Sequence, residues 1–347
     1  MTLTEISNIR LYNQLIAKSS FESPNQVVRW MGAMQAQNYG MSKWAVGLRL
    51  QNSNEKQIEA AIDKGEIIRT HLLRPTWHLV AAEDVRWMMA LSAPNIKKLT
   101  LPVYRQMELD DTVFKKSNSI LYEILNGGNE LTREEIRVEF EKEGIRTNEL
   151  RVGHLMLRAE TDMIVCNGAR RGKQNTYALF NERVPESKPI LKDEALIKLI
   201  TIYFSSHGPA TLKDFIWWSG LSALDAKHAL EMVRSNFISE VVDLETYWFS
   251  PSGSYLTEDT SIHLLPAFDE FIISYKDRTA SIKMENQSKA FTKNGIFNPV
   301  LIFKGQVIGI WKKLVDKKKI ILQYEFFKPL SKYQQKMLAL AEQRFNK

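Results

Sequence analysis

One order of elements recurs three times along this chain, and it restricts the fold more than any single residue does. Helical patterns come first and a hairpin pattern closes each unit. In the first unit, ISNIRLYNQLIA, SPNQVVRWMGAM, SKWAVGLRL and EKQIEAAIDKG carry apolar residues at helical spacing, with Ser23 as N-cap, Pro24 at the first helical position and Gly65 as a stop. IIRTHLLRPTWHLVAA then reads as two short strands broken near Arg74–Pro75. The second unit repeats the order with SNSILYEILNGG, LTREEIRVEFEKEG and TNELRVGHLMLRAETD, followed by strand, basic loop and strand in MIVCNGARRGKQNTYALF. The third runs through LKDEALIKLITIYFSSHG, TLKDFIWWSG and LSALDAKHALEMVRSN to the hairpin FISEVVDLETYWFS. The repeats match in order of elements rather than in letters.

Helices closed by a hairpin are the grammar of a winged helix. The expected class is therefore α+β, with winged-helix units at 1–105, 106–186 and 187–260 and linkers near 106–116 and 184–189. Beyond them, SIHLLPAFDEFIISYKDR and GIFNPVLIFKGQVIGIWKKLVDKKKIILQYEFF look strand-like, and SKYQQKMLALAEQRF looks helical. These predict a small C-terminal antiparallel β-rich domain with a final helix over 261–347.

Composition narrows the function classes. With a single cysteine, Cys166, no internal disulfide forms, and a reducing, cytoplasmic setting fits best. The start, MTLTEISNIRLYNQ, lacks the pattern of a signal peptide, and no apolar run reaches membrane-spanning length. There is no phosphate-binding glycine loop, no dinucleotide fingerprint and no zinc-spaced cluster, and the six histidines are scattered, so neither a metal nor a small-molecule cofactor is expected. The net charge of +7 is unevenly placed: residues 301–347 hold 11 Lys/Arg against 3 Asp/Glu. Lys312, Lys313, Lys317, Lys318 and Lys319 suit a polyanion, although on charge alone a solvated, lysine-rich hairpin turn accounts for them at least as well. Repeated winged helices point to double-stranded DNA as partner.

Four blocks in order carry a closer likeness: QAQ at Gln35–Gln37, LLRPTWHLVAAED at 72–84, LLPAFDEFIISYKDR at 264–278, and GQVIGIW at 305–311. Through them the chain resembles the AlkZ-type winged-helix DNA glycosylases over nearly its whole length. The resemblance implies tandem winged helices in a C-shape with a C-terminal β domain. It also implies removal of alkylated purines, with Gln35 and Gln37 as the catalytic Gln-apolar-Gln motif. A non-catalytic DNA-binding protein or transcription regulator is the alternative, and an interaction scaffold a weaker one. The protein is expected to be a monomer associated with the nucleoid.

The motif makes a geometric demand. Residues i and i+2 point about 200° apart on an α-helix but the same way in an extended chain. For both amides to serve one site, residues 35–37 must have left the helix, with Gly40 expected to permit the turn. An N7-alkylated guanine is already cationic and needs no general acid. Positive charge then develops on the sugar, and two amide oxygens can hold a water and face that charge while staying neutral.

Arg69, Arg74 and His78, in or beside the first hairpin, are expected to reach phosphate or the base-free sugar. Arg170, Arg171 and Lys173 form a basic tip in the second hairpin suited to phosphate contact. Trp217 and Trp218 are expected in the core, and Asp269, Asp277 and Arg278 in an ion-pair or turn role.

Overall fold

The computed structural model describes residues 1–345 apart from 53, 252–257 and 317–318. The first unit contains α1 (Leu3–Asn13), α2 (Pro24–Met31), β1 (Ala33–Gln35), α3 (Tyr39–Leu48), α4 (Glu55–Asp63), β2 (Ile67–Leu72) and β3 (Thr76–Ala81). A long α5 (Ala82–Gln106) leads to the second unit: α6 (Asp111–Leu125), β4 (Leu131–Thr132), α7 (Arg133–Lys142), α8 (Glu149–Thr161), β5 (Val165–Asn167), β6 (Thr176–Leu179) and α9 (Phe180–Arg183). The third contains α10 (Lys192–Ser206), β7 (Ala210–Thr211), α11 (Leu212–Ser219), α12 (Ala223–Val233), β8 (Ile238–Val242) and β9 (Glu245–Phe249). The remainder comprises β10 (Ile262–Leu265), α13 (Glu270–Ile273), α14 (Met284–Ala290), β11 (Val300–Phe303), β12 (Gln306–Asp316), β13 (Lys319–Phe326) and α15 (Lys332–Phe345). The protein is thus mixed α+β.

Local chemistry explains the helix starts. Ser23 accepts from Gln26 N–H while the Gln26 side chain returns to the Ser23 backbone, and Pro24 opens α2. Thr132 and Glu135 form the same reciprocal cap on α7, and Ser222 caps α12.

Each unit has a short strand between two of its helices, and that strand pairs with the far strand of the hairpin. The three sheets run β1-β3-β2, β4-β6-β5 and β7-β9-β8, all antiparallel. The fourth sheet runs β10-β11-β12-β13. Lys317 and Lys318 of the expected basic cluster lie outside the described residues. The strand expected through 261–278 ends at Leu265. There Asp269 accepts from Phe271 N–H at 2.9 Å and caps the short helix α13, which replaces the second half of the predicted strand.

Packing ties the units together. One apolar cluster joins Ile68 and Val80 of the first unit, Met88 of α5, Phe180 of the second unit, and Leu199 and Trp218 of the third. The second unit keeps a further core of its own around Leu121, Phe140 and Leu155. The C-terminal part docks on the first unit through Trp44, whose indole N–H donates to Leu264 O at 2.7 Å, and through a buried Arg49–Asp269 pair.

Candidate active site and nucleic-acid interface

The glutamine motif has left the helix. Helix α2 stops at Gly32, whose φ of +75° is open to glycine and strained for other residues. An added Cβ there would lie 2.7 Å from Cγ2 of Ile202, so the third unit also presses on this turn. The expected breaker, Gly40, instead lies inside α3 without a positive φ. The break comes earlier because the chain must turn before β1 to join the sheet.

The chain then runs extended through β1, with Gln35 opposite His78 in register. Ala36 continues the pairing, its N–H donating to Trp77 O at 2.7 Å. Met34 and Ala36 are buried in the first unit's own core, so alternation along the strand turns Gln35 away from that core, and Gln37 follows in a bend just past the strand. Gln35 is only 7% exposed, whereas Gln37 is exposed.

Gln35 is held at both ends. Its backbone N–H donates to Oε1 of Glu270 at 2.6 Å, and its side-chain oxygen accepts from Arg74 at 3.4 Å. Glu270 is fully enclosed, receives the Ser274 hydroxyl, and lies 3.8 Å from Nε2 of His207. Burial pushes the Glu270 carboxyl up, but His207 and Ser274 more than offset this and hold it below the ordinary carboxylate range. Sequence reasoning misses Glu270. Its bond to Gln35 spans a separation of 235 residues, and the only signal is its place in the block at 264–278.

Beside the motif lies a cleft of about 340 Å³ between the first and second units, lined among others by Tyr39, Arg69, Trp77, Arg133, Arg170 and Tyr177. Arg69 donates to Ala36 O at 2.9 Å and lies over the Trp77 ring at 4.1 Å. It therefore braces the motif and lines the cleft at once. Arg170 covers the Tyr39 ring at 4.6 Å and reaches Glu59 at 3.7 Å. Arg171 is exposed, and its guanidinium is held by Glu135 at 2.7 Å and by Glu130 O. Lys173 is exposed at the same hairpin tip.

Two expectations meet a different environment. His78 is completely buried because β3 is the central strand of its sheet; its Nδ1 meets Thr76 O at 2.8 Å, and no phosphate reaches it here. Burial and the nearby Arg74 charge push its imidazole down to about 4, so it is neutral at pH 7. Arg74 is half-buried and turned inward, donating to Trp217 O at 3.1 Å as well as to Gln35. Trp218 is in the core as expected, but Trp217 stands at this boundary, donating its indole N–H to Ile273 O at 2.8 Å. Asp269 takes the ion-pair role and Asp277 a turn role, accepting from Thr279 N–H at 2.8 Å. Arg278 lies over Trp217, Phe291 and Phe297. Among the described residues no group of three or more His, Cys, Asp or Glu is placed to hold a metal ion, and no helix is long and apolar enough to cross a membrane.

Repeated helix-and-hairpin units, with basic side chains of the first two hairpins around an aromatic cleft, describe a DNA-binding protein. The chain belongs to the AlkZ-like DNA glycosylase family, whose model matches residues 28–347. It is similar to the interstrand DNA cross-link repair glycosylase of Streptomyces sahachiroi, at 23% identity over 339 residues that cover 91% of this chain and 88% of that protein. The solved structure of Streptomyces sahachiroi DNA glycosylase AlkZ shares the fold, with a TM-score of 0.82 at 19% identity, covering 99% of this chain and 95% of that one.

Proposed function

We propose that the protein is a monofunctional DNA glycosylase that hydrolyses the N-glycosidic bond of N7-alkylated purines in double-stranded DNA. The observation that carries this reading is the extended course of residues 33–36, which takes the motif out of the helix and leaves Gln37 exposed just beyond Gln35. In the proposed step the C1′–N9 bond breaks and its electron pair goes to the base, neutralising the N7-alkyl cation. Water held by Gln37 adds its oxygen to C1′, and its proton passes to solvent. Gln35 lines the site beside Gln37, and a neutral amide oxygen facing C1′ stabilises the developing sugar cation. Lys43, the lysine nearest the motif along the chain, is engaged by Glu55 and Glu59, which favours water over a lysine Schiff base as the nucleophile.

The three units act in this reading as winged helices at 1–105, 106–186 and 187–260, followed by a β-rich domain at 261–347. Their common strand order supports that division. Arg170, Arg171 and Lys173 serve as phosphate contacts on the second hairpin, with Arg69 facing the strand beside the motif.

The test is base release from a duplex carrying N7-methylguanine. Gln37→Ala should lower the rate by roughly 10²–10³ with little change in DNA affinity. Gln37→Asp, which keeps an acceptor oxygen and adds negative charge facing the sugar, should retain activity. Equal rates for wild type and Gln37→Ala would refute the mechanism. No release by the wild type from any alkylated duplex would favour a non-catalytic DNA-binding protein.

A further inference from the structure

A guanidinium carries five N–H donors and no acceptor. One terminal nitrogen of Arg74 lies 3.4 Å from Oε1 of Gln35, and the other lies 3.1 Å from Trp217 O. The opposite amide orientation would set the Gln35 NH₂ group against the guanidinium, donor against donor. The oxygen therefore faces Arg74 and Nε2 faces away from it.

The brace is itself fixed. Trp217, whose carbonyl anchors Arg74, is tied by its indole to Ile273 O, at the end of the helix that carries Glu270. Arg74 lies 5.7 Å from the Trp217 ring, with Lys276 and Arg278 also over it at 4.9 and 5.5 Å. The hairpin turn carrying Arg74 packs on Gly220, where φ is +69° and an added Cβ would lie 2.9 Å from Leu73 O and 3.3 Å from Cγ of Arg74. Arg74 thus reaches Gln35 from a turn seated on the third unit, while Glu270 holds the backbone of the same glutamine at 2.6 Å.

We propose that Arg74 is a positioning residue that fixes Gln35 with its NH₂ group turned to the substrate. Gln35 then acts as a hydrogen-bond donor, and Gln37 alone supplies the acceptor that holds the attacking water. This assignment rests on the glycosylase reading and divides the labour of two chemically identical side chains. It also reassigns Arg74 from phosphate contact to support of the motif.

The decisive variant is Gln35→Glu, which keeps acceptor oxygens for Arg74 but has no NH₂ to donate. Single-turnover base release from an N7-methylguanine duplex, at saturating protein and with Kd measured in parallel, should fall about 10²–10³-fold in both Gln35→Glu and Gln35→Ala. Arg74→Ala should lower the same rate by about tenfold or more with Kd changed only a few-fold, and Arg74→Lys, which still donates to Oε1, should recover part of the loss. A wild-type rate in Gln35→Glu, or an Arg74→Ala variant that loses affinity and keeps its rate, would overturn the proposal. A readout independent of activity is the ¹⁵N-resolved side-chain NH₂ of Gln35. It should exchange with water in the wild type, and its two proton shifts should converge in Arg74→Ala as the amide is released. An NH₂ group shielded from water and unmoved by Arg74→Ala would overturn the proposal whatever the enzyme does. If the wild type releases no base while these NH₂ signatures appear, the glycosylase reading fails and the amide orientation stands.

Discussion

Replacing Asp269 by asparagine removes one charge from the most enclosed ion pair among the described residues. Arg49 and Asp269 side chains are 0% and 1% exposed. They meet through two N–H···O bonds of 2.8 Å, the bidentate geometry in which a guanidinium matches a carboxylate. Arg49 also donates to Gln14 O at 2.9 Å, Ala45 O at 2.9 Å and Gln14 Oε1 at 3.1 Å. The arginine thus stays in place when its partner is neutralised, and its charge is left dry and uncompensated. Breaking a buried pair in this way costs about 3–5 kcal/mol. At roughly 2 °C per kcal/mol for a larger chain, the midpoint of thermal unfolding should fall by about 6–10 °C. Chemical denaturation followed by tryptophan fluorescence gives the free energy directly. The double variant Arg49→Met/Asp269→Leu removes both charges and should lose less than the two single changes added together. A loss below about 1 kcal/mol for Asp269→Asn, or strict additivity in the cycle, would refute the account of an uncompensated buried charge.

Protonation gives a second check: His78 titrates near 4 when folded and near 6.5 when unfolded, so the unfolded chain takes up the proton first as pH falls. This contribution is fully present above about pH 6.5 and is lost between about 6.5 and 4, on the order of 3 kcal/mol, and the stability curve of His78→Gln should be flatter over that window. Gly32→Ala combines a positive φ with the close approach of Ile202 and should cost about 2–4 kcal/mol while slowing base release; an unchanged unfolding midpoint would contradict the tight turn into β1. Replacing Arg170, Arg171 and Lys173 by alanine should flatten the log–log salt dependence of duplex binding by roughly 0.9 for each phosphate left without its cation, equally for any sequence, and an unchanged slope would move the DNA to another face.

The fold is legible in the sequence where local chemistry decides the outcome. Ser23–Pro24 opens a helix, Thr132 and Glu135 close a cap, and the i, i+2 spacing of the glutamines requires an extended chain. Strands of two or three residues, β1, β4 and β7, escape such reasoning because they are too short for an alternating pattern to show. The turn belongs to Gly32 rather than Gly40: a glycine after the motif looks like a stop, whereas the need to join a sheet sets the break before it. His78 looks like a wing residue, yet a central strand packed on both faces hides it. Glu270 and Trp217 act on Gln35 and Arg74 across separations of 235 and 143 residues, which no local spacing encodes.

The apolar cluster shared by the three units also sets an order of events during synthesis. Ile68 and Val80 leave the ribosome with the first hairpin, but Leu199 and Trp218, which belong to the same cluster, are added more than a hundred residues later. At about 5–20 residues per second the nascent first unit keeps part of that face uncovered for roughly 6–30 s. The acceptor for the Gln35 backbone arrives later still, with Glu270. A chain interrupted before that point would carry the whole motif, with Gln35 on a strand whose backbone has no anchor.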